Sequence, residues 1–287
     1  MIRIANATLS ADLNPHGAEL WALHDAAGRA LMTDADPAFW TGHAPLLFPI
    51  VGALNGGNYR LDGQEYALPQ HGFARRRAFE IVEQAPDRAR FRLVDDAETR
   101  AAYPFAFALE PSYALDGSGL SIDVTVINRD KRDMPVSFGF HPAFAWPLPY
   151  GASKEDHHIH FEHDEPSPLR QLDAGLIAPD PRPTPVEGRD LALRDDLFTA
   201  DALIWDRLAS RSLRYGPPEG PWLDIAFPDA AMLGIWTKPG ARYLCIEPWH
   251  GIADPMGFSG EIWDKPGIER LAPGEARSFV MRVTLVD

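Results

Sequence analysis

Cysteine is almost absent from the chain, and this scarcity excludes two classes of protein. Cys245 is the only cysteine among 287 residues, so an intrachain disulfide cannot form and a zinc site built mainly from cysteines is excluded. Cys245 lies within an apolar run, where a buried and chemically inert thiol is expected. Neither a disulfide scaffold nor a cysteine-rich metal protein fits this composition.

Long apolar segments and an excess of positive charge are also missing. No window reaches the roughly 20 apolar residues of a membrane-spanning helix, and Met1–Asn6 does not begin a signal peptide. The formal net charge of −14 argues against nucleic acid or an anionic membrane as the main partner. We therefore expect a soluble cytoplasmic protein whose partner is a small molecule.

Alternation of apolar and polar residues indicates β-strands. Residues 120–127 and 278–285 alternate with a period of two, and residues 90–93 do so over a shorter span. The 27 prolines and 23 glycines leave room only for a few short helices, for example over 96–102 and 195–206. The sequence thus predicts an all-β fold, either a sandwich or a barrel.

Turn residues support the same fold class. Asn55-Gly56, Asp62-Gly63 and Asp116-Gly117 each predict a two-residue hairpin turn. The proline-rich segment 147–185 predicts long, irregular excursions from the sheets, because a strand-like run interrupts it. No internal repeat is present, and we predict that residues 1–287 form a single domain.

One apolar run carries a carboxylate beside a tryptophan. Residues 243–254 read YLCIEPWHGIAD, and Pro248 holds Glu247 near extended geometry at a predicted strand end. Such a pair suits a sugar, because the aromatic face of Trp249 covers the apolar side of the ring while the carboxylate accepts a hydroxyl proton. Taken alone, the segment is also compatible with a surface glutamate and a core tryptophan.

Two histidines lie in similarly apolar surroundings. His141 follows the apolar residues 138–140 and precedes Pro142, and His71 is followed by Gly72. A lone histidine in such a setting is more often structural than catalytic. Two of them together with a similarly placed carboxylate favour catalysis, although their separation in the sequence leaves open whether they converge.

Five segments, taken in order, resemble the aldose 1-epimerase (galactose mutarotase-like) family, in particular its bacterial LacX-like branch. The resemblance implies a large antiparallel β-supersandwich with the sugar site in an open cleft. It also implies an isomerase that interconverts the α and β anomers of a free aldose without metal or cofactor. The segments are Gly17–Leu20, Pro45–Gly52, His71–Arg75, Gly139–Phe144 and Cys245–Asp254.

The same resemblance implies roles for individual residues. Glu247 matches the general base, His141 the general acid at the ring oxygen, and His71 a second histidine that binds and polarises the same region. Arg75 matches a recurrent family residue that binds substrate. Core packing is the alternative interpretation for three further aromatic residues that we predict to stack on the sugar: Phe73, Trp236 and Trp249.

The chain departs from the family at Ala53, where an arginine commonly contacts substrate. Arg75, Arg76 and Arg77 could replace that arginine and receive a phosphate, or they could form a solvated charge run. A hexose-6-phosphate 1-epimerase is therefore an alternative function, and a non-catalytic carbohydrate-binding or regulatory protein on the same scaffold is another. The sequence leaves open the sugar and whether the protein is a monomer or a homodimer.

A histidine-rich stretch in the proline-rich segment raises the question of a metal. His158 and His160 share one face of a predicted strand, and imidazole with carboxylate suits zinc or nickel. Nothing in the implied chemistry needs a metal. We therefore predict no functional metal site and only fortuitous surface binding by His157, His158, His160 and His163.

Overall fold

The structure is a computed structural model that describes all 287 residues, and it consists mostly of β-strands. Its only α-helix, α1, spans Ala97–Ala102. Short 3₁₀ helices span Asn55–Gly57, Ala74–Arg76, Lys154–Asp156, Asp195–Phe198 and Ile262–Asp264. The strands are β1 Ile2–Ala5, β2 Leu9–Asn14, β3 Glu19–Asp25, β4 Asn58–Leu61, β5 Gln64–Ala67, β6 Glu80–Gln84, β7 Arg88–Val94, β8 Phe107–Asp116, β9 Gly119–Asn128, β10 Met134–Val136, β11 Phe138–Gly139, β12 Ala143–Ala145, β13 His158–Phe161, β14 Leu172–Asp173, β15 Leu176–Ile177, β16 Asp190–Ala192, β17 Leu203–Trp205, β18 Ser212–Gly216, β19 Trp222–Ala226, β20 Met232–Trp236, β21 Tyr243–His250, β22 Glu269–Leu271 and β23 Ala276–Val286. The predicted all-β fold is confirmed.

Two antiparallel sheets make up most of the fold. The larger sheet has nine strands in the order β16-β13-β18-β19-β23-β9-β8-β7-β6. The smaller sheet has the order β11-β21-β20-β17, and β12 also pairs with β21. The β1-β2-β3 sheet and three two-stranded ribbons complete the architecture.

The apolar core lies between the two large sheets. Phe138 of β11 stacks on Phe279 of β23 with ring centroids 4.8 Å apart. Tyr215 of β18 donates its hydroxyl to the carbonyl of Ala145 in β12 at 2.6 Å. Because one cluster of buried apolar side chains runs from Ile2 to Leu285, we propose that residues 1–287 form one domain.

The turn predictions are confirmed at one site and corrected at two. Asp62-Gly63 joins β4 to β5 with positive φ angles of 52° and 78°, as a type I′ turn requires. Asp116 still pairs within β8, so the two-residue turn lies one position later, at Gly117-Ser118. Residues 55–57 form a 3₁₀ helix and not a hairpin turn, and the N–H of Asn55 donates to the Asp254 carboxylate at 2.9 Å.

Of the two predicted helices, one is confirmed and the other is only partly helical. Asp96 caps α1 by accepting a hydrogen bond from the N–H of Thr99 at 2.8 Å, which confirms the helix over 96–102. Over 195–206 only the first four residues are helical, and the segment ends in β17. No helix in the structure combines the length and the hydropathy that crossing a membrane would require. The cytoplasmic location stays a prediction.

The strand that carries Glu247 continues through the following proline, so the predicted strand end is wrong. The N–H of Ile246 donates to the carbonyl of Pro142 at 3.2 Å, and the carbonyl of Pro248 accepts from Phe140 at 3.0 Å. The ring nitrogen of Pro248 therefore faces the interruption between β11 and β12, where no ladder hydrogen bond is lost. Glu247 thus occupies a central position in β21.

Candidate active site

A cleft of about 770 Å³ opens on the face of the five-stranded sheet that points away from the core. Side chains alternate between the two faces of β21, so Leu244 and Ile246 enter the core while Glu247 and Trp249 line the cleft. Residues from several distant segments complete the walls, among them Trp40, Gln70, His71, Arg75, His141, Gln171, Asp201, Trp236 and Lys238. The topology therefore gathers most of the predicted site residues in one place.

His141 and Glu247 meet at the bottom of this cleft. The Nε2 atom of His141 lies 3.2 Å from Oε2 of Glu247, and the residues are only 8% and 2% exposed. Burial raises the pKa of Glu247 well above its ordinary value, and the nearby Trp249 indole offsets part of this rise. Burial, with a smaller contribution from Arg75, lowers the pKa of His141 to about 3. Each group thus favours its neutral form, and the pair holds one proton between the lowered pKa of His141 and the raised pKa of Glu247.

His71 reaches the cleft from a strained turn. Its φ of 65° is unusual for a residue other than glycine, and Gly72 follows with a φ of 68°. The N–H of Gly52 donates to Nδ1 of His71 at 3.1 Å, so the proton of the neutral ring lies on Nε2. Burial lowers the pKa of His71 well below its ordinary value. Its ring lies 5.9 Å from that of His141 and presents an N–H donor.

Tryptophans form the apolar walls of the cleft. Trp236 and Trp249 both line it, where we predicted stacking surfaces. Trp40 also lines the cleft and stacks on His141 with ring centroids 5.1 Å apart. Trp40 precedes the apolar segment Pro45–Gly52 in the sequence, but no spacing distinguishes it from a core residue.

Phe73 does not line the cleft, contrary to our prediction. Its ring packs in the core, with centroids 5.9 Å from both Phe48 and Phe107. The N–H of Phe73 donates to the carbonyl of Phe48 at 3.0 Å. The two positive φ angles at residues 71 and 72 turn the chain, so His71 faces the cleft while Phe73 is held against the core.

The three consecutive arginines do not converge on the cleft. Arg75 lines it and donates to the carbonyl of Gln70 at 3.0 Å. Arg77 instead forms ion pairs with two surface carboxylates, and Arg76 is exposed outside the cleft. A phosphate would therefore meet only one arginine of the three.

Other polar residues of the cleft were not identified from the sequence. Gln70, Gln171, Asp201 and Lys238 all line it, and Asp201 has a positive φ of 75°. Only Gln171 lies in a segment whose length suggested a functional loop. These residues come from loops with no periodic pattern, so nothing in the sequence related them to Glu247.

The histidine-rich stretch lies in the nine-stranded sheet, away from the cleft. His157 is fully buried, and its Nε2 accepts from the N–H of Leu148 at 2.9 Å, so its role is structural. His158 contacts the Asp190 carboxylate at 2.7 Å, and exposed His160 lies 3.7 Å from the same carboxylate. The prediction of surface metal binding is therefore wrong for His157, and the absence of a functional metal role for this stretch stays a prediction.

Comparisons with known proteins agree with this architecture. The family model for aldose 1-epimerase matches residues 1–268. The chromosomal and plasmid LacX proteins of Lactococcus lactis subsp. lactis are each 30% identical over 258 residues, or 86% of both chains. A galactose mutarotase related enzyme from Lactobacillus acidophilus superposes with a TM-score of 0.91 at 32% identity, over 99% of this chain and 97% of the other. A galactose mutarotase-like protein from Lactobacillus casei ATCC 334 gives a TM-score of 0.93 at 30% identity over 100% of both chains.

Proposed function

The chain belongs to the aldose 1-epimerase family, and on that premise we propose that it interconverts the α and β anomers of a free aldose by opening the ring. The observation that carries this proposal is the buried approach of His141 Nε2 to Glu247 Oε2 at 3.2 Å. The cleft of about 770 Å³ lies within the range of roughly 300–1,000 Å³ typical of small-molecule sites. It offers a monosaccharide aromatic walls and several polar groups.

In the proposed reaction, Glu247 is the base and His141 the acid. In its ionised form Glu247 accepts the proton of the C1 hydroxyl at Oε2, which makes no hydrogen bond within the protein. His141 gives a proton to the ring oxygen as the C1–O5 bond breaks and a C1 aldehyde forms. Rotation about C1–C2 and the reverse steps then close the ring to the other anomer.

The proton that Glu247 and His141 hold between them is consistent with this order of proton transfers. The reactive form has an ionised Glu247 and a protonated His141, whereas ring opening leaves both groups neutral. Burial favours the neutral pair, so the side chains themselves stabilise the protonation state that accompanies the open-chain sugar. The side chains only accept and donate protons while the C1–O5 bond breaks and re-forms within the sugar, and no electrons are exchanged with another molecule, so the proposed reaction needs no cofactor.

The neighbouring residues position the sugar in this proposal. His71 presents its Nε2–H as a donor, because the backbone of Gly52 holds the other ring nitrogen. Arg75 supplies a charged donor at the wall, and Trp236 and Trp249 offer flat apolar surfaces for the ring. The partner is thus a small sugar; a monomer or a homodimer stays a prediction.

A free aldose fits the cleft better than a hexose 6-phosphate. Of the three arginines that could have bound phosphate, only Arg75 lines the cleft, and its guanidinium already donates to a carbonyl. Lys238 also lines the cleft, but its ammonium donates to the carbonyl of Phe39. Asp201 adds a negative charge to the same walls, which disfavours a dianionic phosphate.

Polarimetry tests the proposal directly. We expect the protein to accelerate the relaxation of optical rotation in freshly dissolved α-D-glucose or α-D-galactose, and Glu247→Gln protein not to do so. No acceleration with a panel of free hexoses and pentoses would contradict the free-aldose proposal. Acceleration with a sugar phosphate alone would establish the phosphate alternative, and sugar binding without any acceleration would establish the non-catalytic one.

A further inference from the structure

A buried thiol, which does not itself line the cleft, lies next to the acid–base pair. Cys245 precedes Glu247 by two residues in β21, so both side chains leave the strand on the same face. The ligand atoms of Cys245, His141 and Glu247 all lie within 4.8 Å of one another, and all three residues are buried. The proposed mechanism uses two of these groups and leaves the thiol without a role.

We propose that Cys245, His141 and Glu247 form a binding site for a zinc-like divalent cation, and that the bound metal inhibits the enzyme. The three residues supply sulfur, nitrogen and oxygen, the donor set that zinc prefers in proteins. The Oε2 atom of Glu247 is buried and makes no hydrogen bond in the protein, and Nε2 of His141 lies 3.2 Å from it. Such an unpaired buried atom is free to bind a ligand.

The geometry and the charge both suit a metal. Donor atoms around tetrahedral zinc lie about 3.4 Å apart, given metal–ligand distances of about 2.0–2.3 Å. The present separations of up to 4.8 Å, with one pair already at 3.2 Å, need only small side-chain movements. Binding releases the thiol proton and the shared proton of the acid–base pair to solvent. The thiolate and the carboxylate then neutralise the dication, so the buried centre carries no net charge.

The site also predicts which metals bind and how they act. A thiolate with an imidazole selects Zn²⁺ or Cd²⁺ over Mg²⁺, which prefers an all-oxygen shell. The metal would occupy both proposed catalytic groups, so it should compete with the sugar. Inhibition rests on the proposed function, whereas metal binding does not, and the two therefore need separate measurements.

Cadmium titration measures binding without turnover. Since Cys245 is the only cysteine, ultraviolet cadmium–thiolate absorption reports on this residue alone. With metal-free wild-type protein we expect the absorption to saturate at one Cd²⁺ per chain, and Cys245→Ser should abolish it. Glu247→Gln and His141→Ala should each weaken Cd²⁺ binding at least tenfold. No thiolate absorption with wild type, or unchanged affinity in both of these variants, would overturn the proposal.

Polarimetry then measures inhibition. We expect Cd²⁺ or Zn²⁺ to slow sugar mutarotation in parallel with the absorption change, a chelator to restore the rate, and Mg²⁺ to have no effect. A double variant, His158→Ala with His160→Ala, removes the exposed histidines and should keep both the absorption and the inhibition. Loss of inhibition in that control would assign the effect to the surface stretch and overturn the assignment to the cleft.

Discussion

The protein contains two pairings of histidine with carboxylate, and they differ in surroundings more than in chemistry. In the cleft, His141 and Glu247 approach to 3.2 Å and are almost completely buried. On the outside of the nine-stranded sheet, His158 and Asp190 approach to 2.7 Å, but their side chains are 31% and 44% exposed. The shorter contact is thus the one that solvent reaches.

The two pairings differ in chemical behaviour because one is hydrated and the other is not. An exposed ion pair keeps most of its hydration and contributes about 0–1 kcal/mol to stability. In the buried pair, loss of hydration opposes the charge on both partners, raising the pKa of Glu247 and lowering that of His141. Burial therefore produces two groups in the cleft that together hold one proton, whereas both side chains of the surface pairing stay in contact with solvent.

The largest expected effect comes from removing the buried carboxylate. Glu247→Gln keeps the size of the side chain but cannot accept a proton, so we expect kcat for mutarotation to fall by about 10⁴-fold. The matched surface change, Asp190→Asn, should leave kcat within about twofold. Circular dichroism should show that both variants fold. Equal rates in the two variants would remove the distinction between the two pairings.

Removing the buried imidazole of His141 should lower kcat by a smaller factor than removing the carboxylate of Glu247. We expect His141→Asn to lower kcat by about 10²–10³-fold, because water would replace the acid at the ring oxygen while the Glu247 carboxyl group stayed in place. The polarimetric rate measures this loss. If the variant kept full activity, another group would have to protonate the ring oxygen, and His71 would be the next residue to test.

The sequence predicted the strands and the acid–base residues because both depend on local patterns. Alternating residues predicted β9 and β23, and the run around Glu247 with the histidines at 71 and 141 supplied the chemistry. The resemblance to a family related these distant segments to one another. The sequence could not show that His141 and Glu247 meet in space, because their contact depends on how β11, β12 and β21 pair.

The predictions were wrong where the backbone conformation could not be inferred from the residue types. Phe73 was predicted to face the sugar, but the positive φ of His71 turns it toward the core. Pro248 was expected to end a strand, but its missing N–H faces an interruption in the neighbouring chain. Asp201 and Lys238 enter the cleft from loops, whose paths depend on tertiary contacts.

The pH profile should also distinguish the buried pair from a solvated one. The pair gains a second proton only when pH falls toward the His141 pKa of about 3, and it loses the shared proton only above the raised pKa of Glu247. We therefore expect kcat/KM to change by less than about twofold between pH 5 and pH 4, and to fall only as pH approaches the His141 pKa of about 3. A profile that falls to half near pH ~4.3, as an ordinary glutamate base of pKa ~4.3 would give, would contradict the shared-proton pair.

The smallest expected effect belongs to the exposed histidines. His158→Ala with His160→Ala removes both imidazoles that face Asp190, yet neither lies in the cleft. We expect kcat and KM to stay within about twofold of wild type, and the free energy of unfolding to fall by no more than about 1 kcal/mol. Chemical denaturation and polarimetry check the two quantities. A loss of activity without a loss of stability would show that the outer sheet influences the cleft, and exposure alone could then no longer separate the structural pairing from the reactive one.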